Sequence, residues 1–159
     1  MSPAQPLALI IGGGIGGMSA ALSLARIGVP VTLLEQSAQI REIGAGLQLG
    51  PNAFAALDAL GVGDTVREGS VFTDRMVMMD AVDCSEVAVI PVGEAFRARF
   101  NNPYAVTHRA DFRNNIFDAV KANGNIQYHA GARVRDVLMG KHEAAVMLTD
   151  GRSFMASAV

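Results

Sequence analysis

Residues 7–17 read LALIIGGGIGG, an aliphatic run that ends directly in glycines. A continuous apolar run closed by glycines is typical of a parallel strand buried on both faces. Residues 18–27 are rich in Ala and Leu and predict a helix that ends near Gly28. A second strand is predicted at residues 31–34, directly before Glu35. The front of the chain therefore predicts a strand, a helix and a second strand, with glycines at the first turn.

The glycines follow the spacing Gly12-x-Gly14-x-x-Gly17, in which each position has a mechanical role. The first permits a tight turn, the second lets a pyrophosphate approach the backbone, and the third lets helix and strand pack closely. The N–H groups and the dipole of the helix start then favour phosphate charge. Glu35 can accept hydrogen bonds from both hydroxyls of a ribose and would repel a 2′-phosphate. The pattern predicts a dinucleotide site that disfavours NADP, and it does not separate FAD from NAD.

The segment after the second strand favours FAD over NAD. An NAD-binding domain would continue with another plain helix and strand, whereas residues 41–52 read REIGAGLQLGPN. Consecutive small residues let a backbone pass close to a flat group, and Arg41 can reach a phosphate or ribose oxygen. The alternative interpretation of this segment is a glycine-rich connector.

Composition sets limits on the class of protein. Half of the 159 residues are apolar and 18% are charged, which excludes a disordered chain. The formal net charge of −2 and the lack of a long Lys/Arg run argue against nucleic acid or an anionic membrane as partner. A single cysteine, Cys84, fits a reducing compartment, and the apolar run at 7–11 is too short for a signal core or a membrane span. We therefore predict a cytoplasmic protein.

Periodicity and turn residues predict the elements of the remaining chain. A helix at 51–60 is expected to end at Gly61, and strands at 75–80 and 86–91 are expected to form a hairpin. Residues 96–100, FRARF, predict a half-buried strand; the alternative is a site for an aromatic carboxylate or a stacked base. The other predicted elements are a helix at 110–123 and strands at 127–129, 132–139, 144–148 and 153–159.

Histidine and cysteine positions give no sign of a metal or nucleophile site. His108, His129 and His142 lie far apart and lack metal-ligand spacing, so no metal is predicted. Cys84 lies in the predicted hairpin turn without an activating neighbour in sequence, and an inert thiol is the better interpretation.

Several of these motifs together resemble a known family. The glycine fingerprint, the pair Glu35-Gln36, Arg41 with Gly44-Ala45-Gly46, and Thr107-His108-Arg109-Ala110-Asp111 are similar to the single-component FAD-dependent aromatic hydroxylases, the salicylate and p-hydroxybenzoate hydroxylase group. Residues 44–52 and 96–111 look most like the members that hydroxylate 3-hydroxybenzoate. The resemblance implies an α/β, Rossmann-like (GR2-type) FAD-binding fold with an inserted β-hairpin or sheet, incomplete at the C-terminus.

The resemblance also implies a division of the chain and a set of cofactor-binding residues. Residues 1–73 would form the FAD-binding βαβ part, 74–106 the start of a substrate-facing sheet, and 107–159 a return to the FAD domain. Catalytic residues are expected beyond Val159. The implied FAD-binding residues are Gly12, Gly14, Ile15, Gly16 and Gly17 at the pyrophosphate, Glu35 and Gln36 at the adenosine ribose, Arg41, Ala45, Gly46 and Gln48 along the ribityl chain, Arg109, and Val134 at the adenine.

The activity implied by the resemblance is hydroxylation of a phenolic aromatic carboxylate. NADH would reduce the FAD, and O2 would supply the transferred oxygen atom. The implied partners are a small aromatic substrate, NADH and O2, with neither nucleic acid nor membrane. Two alternatives remain open: another FAD or NAD oxidoreductase, such as a reductase or an oxidase, and a noncatalytic nucleotide-binding remnant.

Overall fold

A computed structural model describes residues 8–39, 45–141 and 143–159. Within these ranges lie eleven strands and five helices. They form two compact units, one from Met1–Glu42 with Arg113–Val159 and the other from Ile43–Phe112. Each unit has its own sheets and is described separately below.

The first unit is built on the predicted strand, helix and strand. Strand β1 (Ala8–Ile11) lies parallel to β2 (Val31–Leu34), and β8 (Ile126–His129) lies parallel on the other side of β2. Every residue of β2 is buried, as expected of a central parallel strand covered on both faces. The predicted parallel βαβ unit is confirmed.

Helix α1 (Ile15–Arg26) connects these two parallel strands. It begins three residues earlier than predicted, because the last glycines of the fingerprint belong to its first turn. It ends where the sequence indicates, with Gly28 in the left-handed conformation at φ +80°. Its buried residues recur at helical spacing and are Met18, Ala21, Leu22 and Ala25. Burying the two larger side chains, Met18 and Leu22, stabilises the fold by about 1.5–3 kcal/mol each.

An antiparallel three-stranded sheet completes the first unit. Its strands are β9 (Val134–Met139), β10 (Ala144–Leu148) and β11 (Ser153–Ala156), in the order β11-β10-β9. Beyond β11, Ala158 forms a parallel bridge to Ala8 of β1. One apolar cluster joins residues from both sheets of this unit. Its buried members are Leu9, Leu34, Ala132, Val146, Leu148 and Ala156.

The second unit contains a three-stranded sheet that was not predicted from the sequence. Strand β3 (Gly46–Leu49) and β4 (Ser70–Phe72) both pair antiparallel with β7 (Ala105–His108), which lies between them. Helices α2 (Pro51–Leu60) and α3 (Gly63–Glu68) follow β3 in the chain. The predicted α2 is confirmed, including its end at Gly61, where φ is +78°. The buried residues of this unit include Phe54, Leu57, Val62, Val66 and Ala105.

The predicted hairpin is also present in the second unit. Strand β5 (Arg75–Met79) pairs antiparallel with β6 (Glu86–Pro91). Cys84 lies in the connecting turn with φ +59° and is exposed. Helix α5 (Arg109–Ala122), also predicted, follows β7. The second unit ends within this helix at Phe112, and the chain returns to the first unit at Arg113.

The predicted strand at 96–100 is wrong, because these residues form helix α4 (Glu94–Phe100). Alternation of aromatic and basic residues over five positions fits a strand, but it also places Phe96 and Phe100 one helical turn apart. The two rings lie 4.7 Å apart between centroids. Ala and Arg favour a helix, and Gly93 precedes its first residue, so the local preference decides the outcome. Among the described residues, no helix is both long and apolar enough to cross a membrane.

Candidate functional site

The turn between β1 and α1 has the geometry that the glycine spacing predicts. Gly12 adopts φ +107°, a conformation that favours glycine, and its N–H donates to the carbonyl oxygen of Leu34 at 2.7 Å. A Cβ atom placed on Gly17 would overlap the carbonyl oxygen of Gly12. Glycine at position 17 therefore lets α1 begin directly against the turn.

The start of α1 presents open backbone. A Cβ atom on Gly14 or Gly16 would meet no atom within 4 Å in the described structure. The first N–H groups of any α-helix have no partner within the helix, and Gly14, the N-cap residue, has no side chain to satisfy them. The backbone of residues 14–17 therefore provides donors and space for an anionic group such as a pyrophosphate.

Glu35 closes the turn from the end of β2. Its Oε2 atom accepts a hydrogen bond from the N–H of Gly13 at 2.7 Å, and its Oε1 atom accepts one from the N–H of Ser37 at 2.7 Å. Burial opposes ionisation of this carboxyl, but the hydrogen bonds from Ser37 and Gly13, with the charge of Arg113, outweigh it and lower the pKa. Glu35 is therefore an ionised carboxylate, and each oxygen keeps capacity for a further donor.

A cavity of about 210 Å³ lies beside this carboxylate, entirely within the first unit. The structure brings together four of the predicted residues at its wall: Gly12, Glu35, Gln36 and Val134. The other wall residues were not predicted as site residues; they are Ile11, Leu34 and Ala132. Apolar walls around one carboxylate suit a nucleoside, whose base is flat and whose ribose carries hydroxyl donors. The residues present thus fit the adenosine half of a dinucleotide.

Four further predicted residues lie together in the second unit. Ala45, Gly46 and Gln48 are exposed at or within β3, and the N–H of Arg109 donates to the carbonyl oxygen of Ala45 at 2.9 Å. Arg109 is exposed and is the first residue of α5, and its backbone lies next to Ala45, directly before β3. Arg41 lies outside the described residues. Contact of these five residues with a cofactor remains a prediction.

A protein-family model described as an FAD binding domain matches residues 7–153. The chain belongs to this FAD-binding family. The family match covers the whole glycine turn, Glu35, all of the second unit and most of the first. The predicted cofactor, FAD, is therefore that of the family, and the open backbone at α1 and the Glu35 carboxylate are the parts of this chain that suit it.

Curated relatives of the FAD-binding chain include hydroxylases. It is 48% identical over 149 residues to the 3-hydroxybenzoate 6-hydroxylase of Klebsiella oxytoca, covering 94% of this chain and 38% of that enzyme. It is 52% identical over 132 residues to the 3-hydroxybenzoate 6-hydroxylase of Polaromonas naphthalenivorans, covering 83% of this chain and 33% of that enzyme. These relatives confirm the resemblance to aromatic hydroxylases, and the chain spans well under half of their length.

Solved structures confirm the predicted Rossmann-like FAD-binding fold. The chain matches Klebsiella pneumoniae HpxO complexed with FAD and uric acid with a TM-score of 0.80 at 25% identity, covering 94% of this chain and 37% of that one. It matches p-nitrophenol 4-monooxygenase PnpA from Pseudomonas putida with a TM-score of 0.84 at 18% identity, covering 98% and 40%. The second likeness concerns the fold alone.

One residue of this FAD-binding domain was missed by sequence reasoning. Arg113, on α5, is only 3% exposed, and its Nη2 atom donates to the carbonyl oxygen of Gly13 at 3.4 Å. In the sequence, Arg113 lies two residues after Asp111 and is not among the predicted site residues. A signal was nevertheless present, because Arg113, Ile116 and Val120 recur at the spacing of one buried helix face.

The described residues hold no cluster of His, Cys, Asp or Glu that suits a metal ion. His108 and His129 lie on separate strands, and His142 is outside the described residues. Burial, followed by the charge of Arg152, lowers the pKa of His129, which favours its neutral form.

Proposed function

We propose that this chain forms the FAD-binding part of a flavin-dependent monooxygenase that hydroxylates a phenolic aromatic carboxylate resembling 3-hydroxybenzoate. NADH and O2 are its proposed co-substrates. The observation that carries the proposal is the 48% identity to a 3-hydroxybenzoate 6-hydroxylase, which extends over 94% of the chain and includes the Glu35 site. Fold likeness alone would not support it, because the same fold serves different substrates.

In this proposal the first unit binds the ADP half of FAD. The backbone N–H groups of residues 14–17 bind the pyrophosphate, and the Glu35 carboxylate accepts the ribose hydroxyls. Gln36 and the backbone of Val134 border the nucleoside cavity. Glu35 suits this role because its carboxylate is ionised and both oxygens are oriented by backbone donors.

Residues of the second unit are proposed to bind the ribityl chain of FAD. Ala45, Gly46 and Gln48 offer an exposed strand, Arg109 offers a cation, and Arg41 is proposed to join them. When bound, FAD supplies the redox chemistry that no side chain provides. The proposal also keeps the division into residues 1–73, 74–106 and 107–159, with the middle part facing the substrate, and a cytoplasmic location.

Two measurements test separate parts of the proposal, the cofactor and the substrate class. Isothermal titration of the purified chain with FAD tests the cofactor, and Glu35→Lys is the matched variant because it reverses the charge that should contact the ribose. We expect the wild-type chain to bind FAD and Glu35→Lys to lose at least about tenfold in affinity, as expected when a hydrogen bond to a charged group is removed. Equal affinity in the two proteins would contradict the ribose assignment.

A chimera tests the substrate class. Residues 7–153 of this chain would replace the matching segment of the Klebsiella oxytoca 3-hydroxybenzoate 6-hydroxylase. We expect 3-hydroxybenzoate to stimulate NADH oxidation by the chimera and to be hydroxylated. The control carries the matching segment of HpxO in the same position. A chimera that retains FAD but does not respond to 3-hydroxybenzoate would overturn the substrate assignment and leave the cofactor assignment standing.

A further inference from the structure

Arg113 is a buried charge next to the glycine turn. Its side chain belongs to α5, yet the residue is only 3% exposed, whereas Arg109 one turn earlier on the same helix is exposed. Burying a guanidinium is costly unless it is hydrogen-bonded or paired. The groups that Arg113 contacts therefore indicate its structural role.

The first partner is the backbone of the turn. The Arg113 Nη2 atom donates to the carbonyl oxygen of Gly13 at 3.4 Å, while the N–H of Gly13 donates to Glu35 Oε2 at 2.7 Å. Both polar backbone groups of Gly13 are thus bound by side chains of opposite charge. Space is tight here as well, because a Cβ atom on Gly13 would lie 2.8 Å from the Cβ atom of Glu35.

The charge of Arg113 also influences the Glu35 carboxylate. The charge of Arg113 is among the interactions that lower the pKa of Glu35, after the effects of burial and of the hydrogen bonds from Ser37 and Gly13. Arg113 thus acts on Glu35 in two ways, directly through its charge and indirectly through the backbone of Gly13.

The Arg113 guanidinium also contacts one ring of an aromatic pair, Phe117 and Tyr128. The Arg113 guanidinium carbon lies 5.5 Å from the ring centroid of Phe117, one helical turn away, within range of a cation–π interaction. Phe117 in turn contacts Tyr128 of β8 edge-on, with ring centroids 4.9 Å apart. Phe117 therefore links the side chain of Arg113 to β8, which pairs with β2, the strand directly before Glu35.

We infer that Arg113 is a positioning residue for the FAD site, which holds Gly13 and the Glu35 carboxylate in the arrangement that accepts the ribose hydroxyls. The inference rests on the proposed function, since it assumes that the ribose of FAD binds at Glu35. Arg113 acts through Glu35 and Gly13, and no contact between Arg113 and the cofactor is required. Its loss should therefore weaken recognition of the ribose hydroxyls more than binding of the rest of the nucleotide.

A pair of ligands isolates that effect. ADP and 2′-deoxy-ADP differ by one ribose hydroxyl, so the ratio of their affinities reports the bond to Glu35. By isothermal titration we expect the wild-type chain to bind ADP about tenfold more tightly than 2′-deoxy-ADP, the size expected for one hydrogen bond to a charged group. In Arg113→Met the ratio should fall below about threefold. Arg113→Lys keeps the charge without the planar fork and should give an intermediate ratio.

Arg26→Met is the matched control, because Arg26 is exposed in the last turn of α1, at the opposite end from the glycine turn. Its ratio should equal that of the wild type. If Arg113→Met binds both ligands more weakly but keeps the wild-type ratio, Arg113 has only a structural role and the inference is overturned. If Arg113→Met does not fold, Arg113→Lys decides: a reduced ratio supports the inference and an unchanged one overturns it.

The wild-type chain separates this inference from the proposed function. A wild-type chain that binds neither ligand, or binds both equally, contradicts the placement of the ribose at Glu35 and with it both proposals. A wild-type preference for ADP that is the same in Arg113→Met contradicts only the role of Arg113.

Discussion

The two units of the chain differ in how directly their sequences specify their structures. In the first unit, β1, α1 and β2 follow one another within 27 residues, from Ala8 to Leu34, and the residues that shape the turn are adjacent in the chain. In the second unit, β7 lies between β3 and β4, so Gly46 pairs with His108 across more than sixty residues of chain. The β1–α1–β2 segment is local, whereas the β3–β7–β4 sheet depends on distant segments.

The difference lies in the kind of constraint that each unit imposes. A turn that needs φ +107° at Gly12 and no side chain at Gly17 restricts residue types at fixed positions, and such restrictions are visible in sequence. Pairing between β3, β7 and β4 is satisfied by backbone hydrogen bonds that many residue types can make. Such pairing leaves little trace in composition or local pattern.

The largest effect is expected where the local constraint is strictest. Gly17→Val places a branched side chain against the carbonyl oxygen of Gly12, which is backbone and cannot rotate away. We expect a loss of about 1–3 kcal/mol in the free energy of unfolding, the range of overpacked sites, and loss of detectable FAD binding. Urea denaturation and FAD titration measure the two effects.

Gly16→Ala is the control for stability at the same turn, since its Cβ atom would point into open space. Alanine is favoured over glycine within a helix, so stability should stay level or rise by up to about 1 kcal/mol. Equal destabilisation by both substitutions would show that the turn tolerates neither side chain, and that the close approach at Gly17 is not the deciding constraint.

Prediction from sequence succeeded where residue type alone limits the backbone. The glycine turn, the ends of α1 and α2 near glycines, and the β5–β6 hairpin all follow from the sequence, whereas the role of Glu35 at the ribose stays a prediction. Position 113 was missed because a buried arginine and an exposed one look alike in sequence; only the three-dimensional neighbours of Arg113 distinguish them. The α4 segment was misassigned because five residues fit both a strand and a helix period.

A smaller change in stability is expected when the charge of Glu35 in the first unit is removed. Hydrogen bonds from Gly13 and Ser37 lower the pKa of Glu35 in the folded chain, so its ionised form stabilises the fold at neutral pH. That contribution is present above the pKa of the unfolded chain and is lost as the pH falls through the lower folded value, below 4.5. We expect Glu35→Gln to lower stability at pH 7 by about 1 kcal/mol.

The pH dependence of the stability of Glu35→Gln tests whether ionisation of Glu35 is the cause of this stabilisation. The stabilities of wild type and Glu35→Gln, measured by thermal unfolding, should differ most near pH 7, and the difference should shrink as the pH falls below 4.5. Ser37→Ala is a graded comparison, because it keeps the backbone N–H that donates to Glu35 but removes the hydroxyl that also lowers the pKa of Glu35; it should lower stability at pH 7 by less than Glu35→Gln does and keep the same direction of pH dependence. A difference that stays constant between pH 7 and pH 3 would mean that ionisation of Glu35 does not stabilise the turn.

The smallest effect concerns the misassigned segment of the second unit, where its sign is diagnostic. Asn101 follows α4 in the left-handed conformation, with φ +57°, a conformation in which glycine carries no steric cost. We expect Asn101→Gly to raise the free energy of unfolding by about 0.5 kcal/mol, because removing the steric cost of the left-handed backbone outweighs the greater freedom of glycine in the unfolded chain. Ala98→Gly, within α4, should lower it by about 0.5–1 kcal/mol. Ala98→Gly would also lower stability in a strand, so the sign for Asn101→Gly is the informative result. A gain in urea denaturation supports the left-handed residue that ends α4, and a loss contradicts it.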